Sequence, residues 1–143
     1  MTVKTILSGK GRDVMTISPT ATLADAAHLL SARRIGAVVV EDRGRTVVGL
    51  LSERDIVRVV AAKGAEALSL PVEQAMTRKV VTCREADTVG VIMERMTTGK
   101  FRHLPVVEDG HLVGIVSIGD VVKFRLGEME QESSALRDYI LTA

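Results

Sequence analysis

A single cysteine, Cys83, is all the thiol chemistry the 143 residues hold, which excludes an internal disulfide and a thiolate zinc site. Aromatics are scarce as well, at 2% with no tryptophan. A stacking platform for single-stranded nucleic acid relies on exposed rings, so a base bound here must be held by aliphatic side chains or backbone. Charge of one sign is missing too. Nineteen Lys and Arg against eighteen Asp and Glu leave a net charge of +1, giving neither a basic field for nucleic acid nor an acidic tail. No apolar run approaches the ~18 residues a membrane span needs. No charged-then-apolar leader opens the chain, so no signal peptide is expected, and a reducing cytoplasm is the expected location.

What the chain does have is apolar content of 46%, enough for a core, in one compact unit or two small ones sharing it. It also has a repeat. Gly49-Leu50-Leu51-Ser52-Glu53-Arg54-Asp55 returns 65 residues later as Gly114-Ile115-Val116-Ser117-Ile118-Gly119-Asp120. Val40-Glu41-Asp42 echoes Val107-Glu108-Asp109, and Val14-Met15-Thr16 echoes Ala75-Met76-Thr77. A repeat of this length means two similar halves of roughly 60 residues, each a marginal domain alone.

Taken in order, residues 1–12 read as a polar, Gly-containing lead, and Asp13 to Ile17 as a short extended segment ended by Ser18-Pro19. Thr22 with Asp25 starts a helix whose apolar face is Leu23, Ala26, Ala27 and Leu30. Ala37 to Glu41 and Thr46 to Leu51 are strands around the turn residues 42–45, and a helix runs from Ser52 to about Ala62. Residues 64–74 form a linker. The order then repeats: Val80 to Thr82 extended, a helix from Asp87 or Thr88 to Thr97 with Gly99 as its stop, strands at 103–108 and 112–116 around the hairpin turn Asp109-Gly110, and a helix from Ser117 to about Leu126. Beyond Gly127, Leu136, Tyr139 and Ile140 stand at helical spacing in an extra amphipathic tail.

Ser-x-x-Asp before a helix has two readings. One is a capping box, with the hydroxyl on the N3 amide and the carboxylate reaching back. The other is a ligand site: two vicinal hydroxyls donate to the carboxylate while free helix amides face a phosphate, which is the chemistry of a ribose phosphate. The shared Gly at the strand start permits close backbone approach by something else.

With both copies of G-x-x-[ST]-x-x-D in view, at Gly49, Ser52, Asp55 and at Gly114, Ser117, Asp120, the chain resembles a tandem pair of CBS domains, a Bateman module, over about residues 8–126. It is also similar to bacterial stand-alone CBS-pair proteins. The resemblance implies a mixed α/β (α+β) fold, with two pseudo-twofold-related β-α-β-β-α motifs at 8–64 and 73–127 packed sheet to sheet, and a C-terminal helical tail at 128–143. It implies two clefts for adenine nucleotides such as AMP, ADP, ATP, NAD(H) or S-adenosylmethionine. One cleft would use Leu50, Ser52, Arg54 and Asp55 with Lys79 and Val80. The other would use Ile115, Ser117, Gly119 and Asp120 with Lys10, Met15 and Thr16. Basic groups for phosphate precede the central strand in such modules. The second half supplies Arg102 and His103 there, beside Lys100, where the first half has Ile35 and Gly36 ahead of Ala37. The small Gly36 would leave room for a larger molecule, such as a dinucleotide.

Other constellations are weak. Ser8-Gly9-Lys10-Gly11 lacks P-loop spacing, Cys83 and His103 have no third member to order them as nucleophile and base, and the three His show no metal spacing. The expectation is a non-enzymatic sensor of adenine nucleotide, without catalytic cofactor or metal, dimerising through its motif helices and acting on an unidentified regulated protein. The alternatives are a regulatory interaction subunit of an enzyme or transporter that uses nucleotide only as a stabiliser, and an enzyme acting on a nucleotide.

Overall fold

A computed structural model describes residues 1–142. The elements in order are helix α1 (Val3–Lys10), strand β1 (Thr16–Ile17), helix α2 (Leu23–Arg33), strands β2 (Ala37–Asp42) and β3 (Thr46–Ser52), helices α3 (Glu53–Lys63) and α4 (Val89–Gly99), strands β4 (His103–Glu108) and β5 (His111–Ser117), and helix α5 (Ile118–Thr142). Short 3-10 turns occupy Arg43–Arg45, Gly64–Ser69 and Val72–Gln74.

Hydroxyl caps start the motif helices. Thr22, Ser52 and Ser117 each accept the N–H three residues on, and Asp25, Asp55 and Asp120 each accept the cap residue's own N–H. Thr88 accepts from Val91 N–H with no returning acid. Both signature copies are therefore capping boxes in the folded chain. The β-branched runs pair as antiparallel hairpins in matching register: Ala37 opposite Ser52 in one half, His103 opposite Ser117 in the other. Asp109 and Gly110, at φ of 51° and 78°, turn the second hairpin as Asp-Gly chemistry requires.

In the first half β1 adds parallel to β2. The second half has no such strand at Val80 to Thr82. The ladder is reduced to one bridge, with Cys83 N–H on the Pro105 carbonyl at 3.0 Å and Val107 N–H on the Cys83 carbonyl at 2.9 Å. The next rung would need an N–H from Pro105 to Val81, and proline has none.

The leading segments differ most from the sequence reading. Residues 1–12 are no polar lead: Val3, Ile6 and Leu7, at i, i+3 and i+4, bury one face of α1 among Cys83, Val89, Ile92, Leu104 and Val116 of the second half. The supposed linker does the converse. Val72, Ala75 and Met76 are buried with Leu23, Leu30, Val38 and Leu51 of the first half. Backbone bonds seal both exchanges. Val3 N–H reaches the Asp87 carbonyl at 2.9 Å and Val89 N–H the Met1 carbonyl at 3.1 Å, while Val72 N–H reaches Ala21 at 2.7 Å and Leu23 N–H reaches Leu70 at 2.9 Å.

This also corrects the repeat register. The partner of Met76 is Leu7, not Met15. A Cβ on Gly49 would strike the Met76 side chain and come within 3.1 Å of the Thr77 carbonyl, and one on Gly114 would meet both Leu7 methyls at 2.9 Å. The close approach that the signature glycines permit is thus by the other half's lead. His103 likewise matches Ala37 and Arg102 matches Gly36, one position on from the pairing with Ile35 and Gly36.

Helix ends shift as well. Gly99 is the last residue of α4, its missing Cβ leaving room for the Phe101 ring, and Lys100 takes the left-handed cap at φ 58°. Helix α5 does not stop near Leu126. It runs 25 residues through Gly127, since an exposed glycine costs a helix only ~1 kcal/mol. Ala143, the end of the expected tail, lies outside the described residues.

Candidate functional site

The junction of β3 and α3 forms one wall of a cavity of about 270 Å³, through Leu50, Ser52, Glu53, Arg54 and Asp55. The opposite wall is the second half's extended lead, Thr77 and Lys79 to Val81, locked to the strand by Leu50 N–H on the Thr77 carbonyl at 3.0 Å and Thr77 N–H on the Leu50 carbonyl at 2.9 Å. Lys100 to His103 close the third side, against Gly36.

Asp55 is a charged group with only 6% exposure. Its Oδ2 accepts the Ser52 N–H at 2.9 Å and the Ser52 hydroxyl at 3.1 Å, and its Oδ1 accepts Arg58 Nη1 at 2.9 Å. A carboxylate offers about four lone-pair sites, so Oδ1 keeps capacity for a further donor. Around it Arg54, Lys79, Lys100 and Arg102 outnumber Glu53 and Asp55, giving the cavity an excess of positive charge. His103 is half-buried, and burial pushes its pKa below the usual histidine range, reinforced by Lys10 and Arg102 and opposed by Asp120 and Glu53.

Of the residues singled out in the sequence, Gly36, Leu50, Ser52, Arg54, Asp55, Lys79, Val80, Arg102 and His103 line this one cavity. Arg102 and His103, read as the second half's own phosphate groups, line the cavity that holds the first half's carboxylate, while His103 also feels the charges of Lys10 and Asp120. The hairpin register carries them there, because the Arg102 carbonyl accepts the Ile118 N–H as the Gly36 carbonyl accepts the Glu53 N–H. Ala37 is buried in the strand. Glu53, Thr77, Val81 and Phe101 also line the cavity without having been singled out; Glu53, Val81 and Phe101 stand directly beside residues that were.

The other set does not assemble in the same way. Lys10 Nζ donates to the Ile115 carbonyl at 2.8 Å and to Asp120 Oδ2, so the chain's own ammonium sits on the second carboxylate. Burial works against the Asp120 charge, but Lys10 and the Ser117 N–H outweigh it and hold the carboxyl below its usual range. Lys10 and Asp120 lie in a groove between α1 and α5, lined also by Ile6, Phe124 and Gln131. Thr16 lines a separate depression with Glu41 and Leu112, and Met15 packs onto the first half's core. Ile115, Ser117 and Gly119 line neither of these two hollows.

Burial pushes the Cys83 thiol up to about 12, with the Asp87 charge adding to it, so it is no nucleophile near neutral pH. Among the described residues no group of three or more His, Cys, Asp or Glu is placed to hold a metal, and no helix is long and apolar enough to cross a membrane.

Known proteins share this architecture. A CBS-domain containing protein from Agrobacterium tumefaciens superposes with a TM-score of 0.84 at 50% identity, over 87% of this chain and 99% of that one. A CBS domain protein from Pyrobaculum aerophilum, complexed with AMP, superposes with a TM-score of 0.75 at 32% identity, over 84% of this chain and 89% of that one. A CBS domain-containing protein of Arabidopsis thaliana is 34% identical over 118 residues, 82% of this chain, though the chain spans only 21% of that protein's length. The family model for the CBS domain matches twice, at residues 4–62 and 72–127. With both repeats matched, the chain belongs to the CBS-domain family.

Proposed function

We propose that the protein is a non-catalytic regulatory module that binds one adenine nucleotide in the cavity between Asp55 and Arg102. The observation that carries this reading is the pairing, across one hollow, of a buried hydroxyl-carboxylate cap with an excess of cations. Asp55 and Ser52 would take the ribose diol. The backbone of Thr77 to Val80 would frame the adenine, with Phe101 the one aromatic in the lining. Arg54, Lys79, Lys100 and Arg102 would meet the phosphate, since charge-assisted bonds to phosphate are the strong ones. The AMP held by the Pyrobaculum aerophilum relative supports the ligand class. At about 270 Å³ the hollow sits at the low end of small-molecule sites, which favours a mononucleotide with its phosphate near solvent over NAD(H). The second carboxylate is occupied by Lys10, so the proposal is one site per chain. The reading places the protein in the cytoplasm, where such nucleotides are abundant.

Titration calorimetry with AMP, ATP, NADH and S-adenosylmethionine tests it. Losing a charge-assisted acceptor costs roughly 1.5–3 kcal/mol, so Asp55→Asn should weaken AMP about tenfold to a hundredfold. Asp120→Asn removes an equivalent cap and should leave the affinity unchanged. Identical isotherms for wild type and both variants, or no binding heat with any of the four ligands, would overturn the assignment.

A further inference from the structure

Each signature carboxylate carries one cation among the described residues, and the two cations come from different places. Asp55 is held by Arg58, three residues on in its own helix, with Nη1 on Oδ1 at 2.9 Å. The same guanidinium reaches across to the Ala75 carbonyl, Nη2 donating at 3.3 Å. Asp120 is held from α1 by Lys10 instead. Its own helix has Lys123 at the place of Arg58, and Lys123 lines the groove between α1 and α5 with no ion pair to any described residue. The cations also take different oxygens. In both boxes the cap N–H falls on Oδ2. Arg58 sits on Oδ1, whereas Lys10 shares Oδ2 with the cap. Asp55 lines the cavity with Lys79 and Arg58 does not, so Asp55 is neutralised from outside the hollow.

A carboxylate taken from water is costly to leave unpaired, so each one recruits a cation within reach. Arginine and lysine answer that demand differently. A guanidinium is a rigid fork that holds a carboxylate and a carbonyl at once, while an ammonium is a single charge on a flexible stem. Arg58 therefore satisfies Asp55 and ties α3 to Ala75 in one side chain. Lys123 does neither, and Asp120 is left to the ammonium of Lys10, which finds the Ile115 carbonyl beside it. The matching carbonyl of the first half, on Leu50, is already taken by the Thr77 N–H at 2.9 Å. We propose that Arg58 is the positioning residue that keeps the first cavity open, by neutralising Asp55 from outside so that Lys79 is not drawn onto it, and that lysine at the same place in the second half, Lys123, lets Lys10 plug the second carboxylate. The backbone sets how far each lysine must reach. The residue three beyond the carboxylate sets whether a bare charge awaits it. The consequence for ligand rests on the nucleotide reading of the cavity; the exchange of ion pairs does not.

Lysine reactivity in the ligand-free full chain reads the pairing directly. After brief treatment with acetic anhydride, peptide mass spectrometry of wild type should find Lys79 acetylated and Lys10 spared. Arg58→Ala should make Lys79 several-fold less reactive. Lys123→Arg, which gives Asp120 a guanidinium from its own helix, should make Lys10 several-fold more reactive. Unchanged reactivity of Lys79 in the first variant, or of Lys10 in the second, would overturn the proposal. Calorimetry with adenosine, which has no phosphate for Lys79 to meet, reads the consequence. Arg58→Ala should weaken adenosine several-fold, and adding Lys79→Ala to it should restore most of the loss. A loss that persists in the double variant is what a merely structural Arg58 would give, and it too would overturn the proposal. If the reactivities shift as stated while neither adenosine nor AMP binds any of these proteins, wild type included, the exchange of ion pairs stands and the nucleotide reading falls.

Discussion

Two lysines at one repeat position do opposite work. Lys10 and Lys79 both stand three residues beyond the side chain that packs under a signature glycine, Leu7 in one case and Met76 in the other. Lys79 lines the open cavity, while Lys10 reaches the Ile115 carbonyl and closes on Asp120. The difference is the backbone beneath them, helical at Lys10 and a bend at Lys79, where the Val80 N–H closes on the Arg78 carbonyl at 3.0 Å. Lys10→Ala should therefore uncover a second carboxylate, and calorimetry with AMP should move from one binding event to two; an unchanged stoichiometry would mean that Lys10 is not what closes the second site. The acid limb follows from Asp120. Its folded pKa is depressed, so the pair's stabilisation is present above the ordinary carboxylate range and is lost as pH falls through the folded value. Thermal melts of Lys10→Ala should accordingly lose less stability than wild type in that acid window.

His103 gives a second pH effect of definite sign. Lys10, Arg102, Glu53 and Asp120 all act on it, and with burial they leave it neutral at pH 7 in the free protein. A phosphate beside it would favour the imidazolium, so binding takes up a proton. Affinity for AMP should rise as pH falls from 8 to 6, and His103→Asn should flatten that slope in a calorimetric series. In the free protein the sign is opposite. The folded state resists protonation that the unfolded chain accepts, so this group's contribution to stability falls as pH drops below about 6.5.

At the element scale the two lead segments are exchanged between halves, and each should behave as core. Leu7→Ala and Met76→Ala each empty a site in the opposite half's cluster, at a cost of about 2–5 kcal/mol by denaturant melts. If Leu7→Ala cost under 1 kcal/mol, α1 would be an appendage. The hairpins, the caps at Thr22, Ser52 and Ser117, and the Asp-Gly turn were legible in the sequence because each rests on residues a few positions apart. The α1 exchange was not. Val3, Ile6 and Leu7 fill barely two turns, and their burial depends on Val89 and Leu104, far along the chain. The missing strand at Val80 to Thr82 turned on one proline in a neighbouring strand, visible only once the ladder's direction was known. The cavity was legible in its residue types but not in its sides: Arg102 and His103 line the hollow that holds Asp55, and the sequence reading had matched them to the first half one residue off.

For the whole molecule, exchange of the leads makes the halves interdependent. Each half is about the size of a marginal domain, and each has lent part of its core to the other. A fragment of residues 1–63 would keep α1 with nothing to bury it and would lose Val72, Ala75 and Met76 from beneath Leu51. The cavity lies on the same seam, with one wall from β3 and α3 and the other from Thr77 to Val81, so a ligand there bridges both halves and binds only the folded state. Linkage then fixes the expected gain: at a hundredfold excess over the dissociation constant, about 2.7 kcal/mol at a single site. Scanning calorimetry should show one cooperative transition without ligand and one transition, shifted upward, with saturating AMP. Two resolved transitions in the free protein would mean that each half folds without the other's lead. A single transition that AMP fails to shift would leave the exchange standing and remove the nucleotide from the seam.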